Sequence, residues 1–384
     1  MSKIALKISL ALIAVAAAAS ISFAQGSANF GHPHTPTLTP QNSNTTQLLI
    51  AVSPVNSRVV WASGTGGTYV VTTDGGDTWT SGVVPGAEQE QFRDVQGVTD
   101  KIAYLMSIGN NTNDFRIYKT VDGGKNWSIE FTNQLANAFY DCMAFWTPYR
   151  GLAHSDSVNG VFPELRTFDG VHWESIANRM PPALPGEASF SASGTCITTE
   201  GELNAWITTG GSDIARVIAT RDGGWTWNAY DTPLPSSPSA GGVSIAFRNP
   251  WDGILGGGDL SNNASAITAT SHDAGKTWNT TTTPPIQGAI FCLAYAGGMH
   301  LNEGLFGWFF DPDGINFGRE FDRTVVITTE LQPDFSAGSA AWSPDEGQTW
   351  YALPAASGYW GLAFANPHAG WFVGNNGQIL KISF

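Results

Sequence analysis

The stretch TTDGGDTW, residues 72–79, decides the fold because it recurs five more times along the 384-residue chain. The copies share the form Ser/Thr-x-Asp-x-Gly-x-Thr-Trp, which we call the box. Successive box tryptophans stand 48, 46, 54, 51 and 72 residues apart, so the chain is a series of repeats. The further copies are TVDGGKNW (120–127), TFDGVHW (167–173), TRDGGWTW (220–227), SHDAGKTW (271–278) and SPDEGQTW (343–350).

Each repeat has the composition of β-strands. In the fifth repeat, VSIAFRNP (243–250), DGILGGG (252–258), AITATSHDAG (266–275) and KTWNTTT (276–282) follow one another. Apolar residues show almost no 3.6-residue period, which excludes a helical solenoid. Four strands in a repeat of about 50 residues are typical of the blades of a β-propeller. The aromatic residues of the second strands are predicted to pack between blades and not to form a row that stacks a ligand; they are Trp61, Tyr104, Trp206, Trp308 and Trp371.

The box residues predict a hairpin between the third and fourth strands of each blade. Aspartate accepts hydrogen bonds from backbone N–H groups of its own turn, and glycine adopts the positive φ of a tight turn. The tryptophan packs over the hairpin. The alternative, metal ligands or catalytic acids, is disfavoured because six copies around a ring cannot converge on one site. The predicted structural residues are Asp74, Trp79, Asp122, Trp127, Asp169, Trp173, Asp222, Trp227, Asp273, Trp278, Asp345 and Trp350.

The number of boxes predicts how the ring closes. Six blades carry a box, and a seventh stops at Phe384 after three strands. The segment 38–46 lies just before blade one, so we expect it to supply the missing fourth strand of blade seven and leave no open edge. The predicted fold is an all-β, seven-bladed propeller over residues 38–384, closed by its N-terminal strand.

The first residues resemble a secretory signal peptide. Lys3 and Lys7 precede an apolar run at 8–21, and a small-x-small cleavage signal ends at Ala24. Residues 1–24 are therefore predicted to be removed, and residues 25–37 to form a loose leader. No other segment predicts a membrane span. With 16 basic and 32 acidic residues left, the mature charge is −16, which disfavours nucleic acid as a partner. The expected location is the periplasm or the outside of the cell, and the expected state a monomer.

The three cysteines and the sixth repeat are less regular features. The three cysteines, Cys142, Cys196 and Cys292, lie in apolar runs and are expected to be buried thiols. The alternative is one disulfide between two of them, because exported proteins meet an oxidising compartment. The sixth repeat is about 20 residues longer than the others. Its excess is placed between residues 309 and 340, where Asp311 and Asp313 resemble a calcium loop only faintly, so a solvated acidic loop is favoured.

The repeats resemble two related groups of propellers. The boxes are similar to the Asp-box, or BNR, repeats of sialidase-type propellers. The fuller pattern of AFANP (363–367), GWFVGNNGQIL (370–380) and TTDGGDTW resembles the photosystem II stability/assembly factor-like family. This resemblance covers roughly residues 38–384 and implies the propeller fold. It also implies binding of other proteins, since photosynthetic members of that family act as assembly factors.

The sialidase resemblance does not extend to the catalytic residues. Sialidases carry an Arg-Ile-Pro motif, three arginines for the substrate carboxylate, a Tyr–Glu nucleophile pair and an Asp acid/base. Here the nearest string to the first motif is Arg116-Ile117-Tyr118, in a strand that leads into a box. No phosphate loop, dinucleotide fingerprint or nucleophile elbow occurs, so no cofactor is expected.

Two functional hypotheses follow. The first is a non-catalytic exported propeller that binds a protein or glycan of the cell envelope; the second is a sialidase-like or other glycoside hydrolase. Arg93, Asp94 and Asp141 lie on inner strands, as FRDVQ and FYDCM, with the two aspartates in matching places. They form either a polar binding spot near the axis or a channel wall that faces water. Arginines clustered with Tyr, Glu and Asp at one mouth of the channel favour the hydrolase.

Overall fold

The computed structural model describes residues 35–109, 111–297, 321–332 and 336–384, and it shows a seven-bladed β-propeller. The predicted fold class is therefore confirmed. The described residues form seven four-stranded antiparallel sheets. The first fourteen strands are β1 (Thr37–Asn42), β2 (Leu49–Pro54), β3 (Val60–Gly64), β4 (Thr68–Thr72), β5 (Thr80–Val83), β6 (Gln91–Gly97), β7 (Ala103–Ile108), β8 (Arg116–Thr120), β9 (Ser128–Thr132), β10 (Tyr140–Thr147), β11 (Arg150–Ser155), β12 (Leu165–Thr167), β13 (Trp173–Ser175) and β14 (Ile197–Glu200).

The second half of the chain continues in the same way. Blade one holds β2–β5, blade two β6–β9 and blade three β10–β13, and blade four begins with β14. The remaining strands are β15 (Asn204–Thr208), β16 (Arg216–Thr220), β17 (Asn228–Asp231), β18 (Ala240–Phe247), β19 (Gly253–Asp259), β20 (Ile267–Ser271), β21 (Asn279–Thr280), β22 (Ile290–Tyr295), β23 (Val325–Leu331), β24 (Ser336–Ser343), β25 (Tyr351–Ala352), β26 (Tyr359–Asn366), β27 (Ala369–Gly374) and β28 (Gln378–Ser383).

Helices are few and short. Within the described ranges none is long and apolar enough to cross a membrane. The short 3-10 helices in the part of the chain that the structure describes are Thr112–Asp114, Ala177–Arg179, Pro354–Ala356 and Asn375–Gly377.

Blade seven joins the two ends of the propeller. Its strand order is β1-β28-β27-β26, and β1 pairs antiparallel with β28 from Thr37 opposite Ser383 to Asn42 opposite Gln378. Strand β1 begins one residue before the predicted segment 38–46, and it ends four residues before the end of that segment. The Gln41 side chain then links blades seven and one, since its Oε1 accepts from the indoles of both Trp79 and Trp371 at 3.1 Å.

Blade six corrects one sequence prediction. The sequence placed Trp308 on its second strand and the excess residues after it, but the second strand is β23 and the excess lies between β22 and β23. The apolar, β-branched run that begins at Val325 forms this strand, with Val326 opposite Trp342. Trp308, Asp311 and Asp313 lie outside the described residues, as do residues 1–34 with the proposed signal peptide.

The second-strand aromatics form the cores between blades, as predicted. Trp61, Tyr104, Trp206 and Trp371 are fully buried. Three of them also donate a hydrogen bond to a backbone carbonyl in the next blade, which satisfies the polar end of a buried ring. These bonds are Trp61 to Thr99 (2.8 Å), Tyr104 to Pro148 (3.0 Å) and Trp206 to Ala274 (2.9 Å).

The cysteines differ from the sequence expectation. Cys142 and Cys196 form a disulfide between the inner strands of blades three and four, with Cα atoms 6.0 Å apart, while Cys292 remains a buried thiol. The expectation of buried thiols is thus wrong for two of the three. Both bonded cysteines lie at the box-distant end of an inner strand, and adjacent blades bring these positions within disulfide distance.

Candidate functional site

The six box hairpins share one hydrogen-bond pattern, illustrated by blade one. Asp74 accepts from the Thr78 backbone N–H (2.9 Å), the Thr78 hydroxyl (2.6 Å) and the Thr72 hydroxyl (2.7 Å). These bonds favour the carboxylate and lower the pKa of Asp74 to about 2, with the Thr78 hydroxyl the largest cause. The same backbone N–H bond, from the residue four positions on or three in the shortened third box, is accepted by Asp122, Asp169, Asp222, Asp273 and Asp345. The box carboxylates are thus occupied within their own turns.

The up-and-down order of the strands gives the propeller two distinct faces. Loops between first and second strands lie on the same side as the boxes, and we call this side the box face. Four of the five exposed aromatic side chains among the described residues lie on it, namely Tyr149, Phe168, Trp225 and Trp251. The fifth, Tyr351, lies on the outer strand β25, directly after its box.

The axis of the propeller is closed on the side away from the boxes. An apolar cluster combines Ile50, Ala192, Val243, Phe291 and Trp360. These residues come from blades one, five, six and seven and from the segment before blade four, and such distant blades meet only at the axis. Most occupy a β-bulge at the start of an inner strand, and a bulge redirects the side chain of its extra residue.

Arg93 occupies the same bulge position in blade two. Its guanidinium donates to Ser191 O (3.1 Å) and Gln91 Oε1 (3.1 Å) and lies 5.9 Å from the Trp360 ring centroid. Burial lowers the pKa of Arg93, and nearby Asp141 opposes this shift. Arg93 therefore fastens the segment before blade four to the axial cluster.

Asp94 lies one position further on and contacts two neighbouring blades. It accepts from the Met143 backbone N–H at 2.7 Å, and a Cβ on Gly194, whose φ is +78°, would come within 2.5 Å of its Cγ. Complete burial raises the pKa of Asp94 well above its usual range. Asp94 thus joins blade two to blade three, and its burial favours the protonated form of the carboxyl.

Asp141 is the bulge residue of blade three, which corrects the sequence alignment. Arg93, not Asp94, is its structural counterpart, because the bulge lies at Arg93 in FRDVQ and at Asp141 in FYDCM. Asp141 is bonded to Asp156, and burial together with that neighbouring charge raises the pKa of Asp141 well above its usual range. Burial also raises the pKa of Asp156, so the pair favours a shared proton, and Asp156 accepts from Ser189 N (2.8 Å).

The cavity on the axis is small. It measures about 120 Å³ and is lined by the inner strands of all seven blades, with Asp94, Ser193 and Gly194 at its closed end. Ligand pockets usually measure roughly 300–1,000 Å³, whereas this volume suits a few waters. Arg93, Asp94 and Asp141 lie together at the closed end, but they fasten protein segments to one another. Among the described residues Asp94 lines this cavity, and both interpretations, a binding spot and a water-facing wall, stay predictions.

A Tyr–Glu–Arg cluster lies at the box-face end of blades five and six. Glu346 Oε1 accepts from Arg248 Nε (2.6 Å) and from Tyr295 OH (3.1 Å), while Glu346 Oε2 accepts from Arg323 Nε (2.9 Å). Glu346 replaces a box glycine and keeps the positive φ of that position, 56°. Burial raises the pKa of Tyr295 well above its usual range. Sequence reasoning missed this cluster, although the Gly-to-Glu departure in SPDEGQTW was its signal.

A stack of alternating arginines and aromatic rings lies between blades three and four. The Arg166 guanidinium lies 4.4 Å from the Phe168 ring centroid and 4.6 Å from that of Trp225. Arg179 covers the same Trp225 ring at 4.1 Å. Sequence reasoning did not find this stack, since 59 residues separate Arg166 from Trp225. No group of His, Cys, Asp and Glu in the described ranges has the arrangement of a metal site.

Comparison with known proteins supports the fold. No family model and no curated protein matches the sequence. Among solved structures, YCF48 bound to D1 peptide superposes with a TM-score of 0.57 at 16% identity, covering 91% of this chain and 97% of that one. YCF48 from Cyanidioschyzon merolae gives 0.58 at 17%, covering 90% and 98%. The GH74 xyloglucanase from Xanthomonas campestris gives 0.57 at 14%; it covers 90% of this chain, which spans only 53% of the enzyme.

Proposed function

We propose that this chain is an exported, non-catalytic propeller that binds a polypeptide partner through the box face. The observation that carries the proposal is the segregation of exposed aromatic rings onto that face. Trp225 is 55% exposed, Trp251 57% and Phe168 52%, and each lies against an arginine. Aromatic and arginine side chains are enriched in protein interfaces and in their energetic centres.

Two further observations support a surface rather than a channel as the binding site. The axial cavity of about 120 Å³ is too small for a peptide or a sugar ring system, and its far end is closed by the axial cluster. The structurally similar YCF48 is known with a bound D1 peptide, which supports a polypeptide as the partner. The apolar run and cleavage signal before residue 25 support export.

Capture of envelope proteins tests the proposal. The tagged mature chain is immobilised, and bound proteins are quantified for the wild type, Trp251→Ala and Ile214→Ala. Ile214 is 42% exposed and lies between β15 and β16, on the face away from the boxes. We expect the partner to be lost with Trp251→Ala and retained with Ile214→Ala. Equal retention by both variants contradicts the proposal.

A second candidate, glycoside hydrolysis, has the Tyr295–Glu346 pair in its favour, together with the likeness to a GH74 enzyme. The geometry ranks it lower, because Glu346 is held by Arg248 and Arg323, and burial keeps the Tyr295 phenol protonated. Fluorogenic glycosides, including sialosides and xyloglucan fragments, test it. Turnover that disappears in Tyr295→Phe would reverse the ranking.

A further inference from the structure

Three arginines meet in the cleft between blades three and four. Arg150 begins β11, Arg166 lies on β12, and Arg179 ends the short helix after β13. The rings of Phe168 and Trp225 alternate with two of the guanidiniums at 4.1–4.6 Å. Such contacts cover the flat faces of a guanidinium and leave the donors around its edge to be satisfied by other groups.

Several edge donors of this cleft lack acceptors, although Arg150 Nη1 donates to Glu202 O at 2.9 Å and Arg150 Nη2 to Gly223 O at 3.4 Å. Within the ranges that the structure describes, Nε and Nη1 of Arg166, Nε of Arg150 and Nη1 of Arg179 are buried without a hydrogen-bond partner. Arg166 is 1% exposed. Buried polar groups are nearly always hydrogen-bonded, so four such donors in one cleft require an explanation.

Charge points in the same direction. Among the described residues, the ion pair of this cleft is that of Arg166 with Glu174, at 2.6 Å, and the Glu174 side chain is 57% exposed. Burial and the neighbouring Arg166 lower the pKa of Arg150, and the charge of Glu202 opposes this shift only in part. The mature protein has a formal charge of −16, yet three cations gather here with a single carboxylate bonded to them.

We propose that the cleft between blades three and four binds a carboxylate of the polypeptide partner, with Arg150, Arg166 and Arg179 as its donors. This inference rests on the proposed function and specifies the chemistry of the partner at that site. A planar carboxylate matches the edge donors of guanidiniums. The exposed rings of Phe168 and Trp225 take the apolar atoms next to it. A polyanion such as nucleic acid is repelled by the acidic remainder of the protein.

Entry of the carboxylate depends on Trp225. This ring covers both Arg166 and Arg179, but more than half of its surface is exposed, since it occupies the variable position of its box. Because the ring is exposed, it rotates away without opening a cavity in the core. Binding of the carboxylate therefore moves the Trp225 indole away from two guanidiniums, which changes the fluorescence of that tryptophan.

Matched peptides test the inference. Three N-acetylated octapeptides are titrated at constant chloride: one with a central Leu-Glu and an amidated C-terminus, one with Leu-Gln and an amidated C-terminus, and one with Leu-Gln and a free C-terminal carboxylate. The second and third peptides separate a side-chain carboxylate from a terminal one. Tryptophan fluorescence and calorimetry report binding. We expect at least one carboxylate peptide to bind about tenfold tighter than the uncharged one.

Arg179→Gln is the test variant. No hydrogen bond or ion pair of Arg179 occurs among the described residues, so we expect the variant to keep the fold. Arg221→Gln is the control; Arg221 also lies over a tryptophan on the box face, but its Nη2 donates to Asp273 O at 3.1 Å. We expect Arg179→Gln to abolish the preference for the carboxylate and Arg221→Gln to keep it. Equal binding of charged and uncharged peptides, absence of binding, or equal effects of the two variants overturns the inference. If envelope capture still depends on Trp251, the proposed function stands without it.

Discussion

The side chain of Gln41 offers the sharpest test of how the ring is held closed. Its Oε1 is the acceptor for two indole N–H groups, that of Trp79 in blade one and that of Trp371 in blade seven. These rings are 3% and 0% exposed, so neither N–H reaches water once the acceptor is removed. A buried donor left unsatisfied costs about 1–3 kcal/mol, and Gln41→Ala orphans two of them. We expect a loss of roughly 3 kcal/mol in the free energy of unfolding.

Urea unfolding followed by tryptophan fluorescence measures this loss. With an unfolding entropy of about 2 cal/mol/K per residue, the same change lowers the melting temperature by about 4 °C for a chain of this size. Gln41→Glu keeps the acceptor but loses the donor to Gly75 O, so we expect a smaller effect. Gln134→Ala, at an exposed position, serves as the control. A change below about 0.5 kcal/mol in Gln41→Ala refutes the role assigned to this side chain.

Three further predictions concern the inner strands. Because the pKa of Asp94 is raised in the folded state, this residue stabilises the fold fully below its ordinary pKa of 3.8, and the stabilisation is lost as the pH rises through the folded pKa. Asp94→Asn should therefore flatten the pH dependence of the free energy of unfolding. Curves of unfolding free energy against pH that run parallel for the variant and the wild type contradict this. The Cys142–Cys196 disulfide spans 54 residues, so replacing both cysteines by alanine should cost about 4 kcal/mol in urea unfolding; an unchanged midpoint contradicts a stabilising role. Gly194→Ala should lower the melting temperature, because the new Cβ meets Asp94 and the backbone has a positive φ; a melting temperature equal to that of the wild type contradicts this.

The repeats made the fold predictable from the sequence. Each box encodes its own hairpin through hydrogen bonds between residues two to four positions apart in the sequence. The spacing of the boxes then determines the number of blades. The same reasoning was wrong for blade six, because its first strand ends at Tyr295 and its second strand begins only at Val325, whereas the sequence pattern predicts Trp308 as the aromatic of the second strand. A single aromatic residue does not define a strand register when the loop length is unknown.

The candidate site was less predictable for a physical reason. Arg166 and Trp225 belong to different blades, and their contact depends on how two sheets pack, which no local pattern encodes. The bulge of blade two lies just before Asp94, and that of blade three lies at Asp141. The sequence alignment of these two inner strands was therefore wrong by one residue, and it matched Asp94 with Asp141. Substitutions within a repeat were the useful signal, as in the Glu346 box, because they mark where the repeat differs from its own pattern.

Site-specific photo-crosslinking tests the central claim, that a polypeptide partner binds the box face. A photoreactive residue is placed at Leu203 or at Ile214, both in blade four, where these aliphatic side chains are 46% and 42% exposed on opposite faces. The account predicts that, in the native envelope, position 203 yields a discrete crosslinked protein, that Trp225→Ala abolishes it, and that position 214 yields none. A crosslink to the same protein from position 214 alone, or from 203 regardless of Trp225, would contradict it.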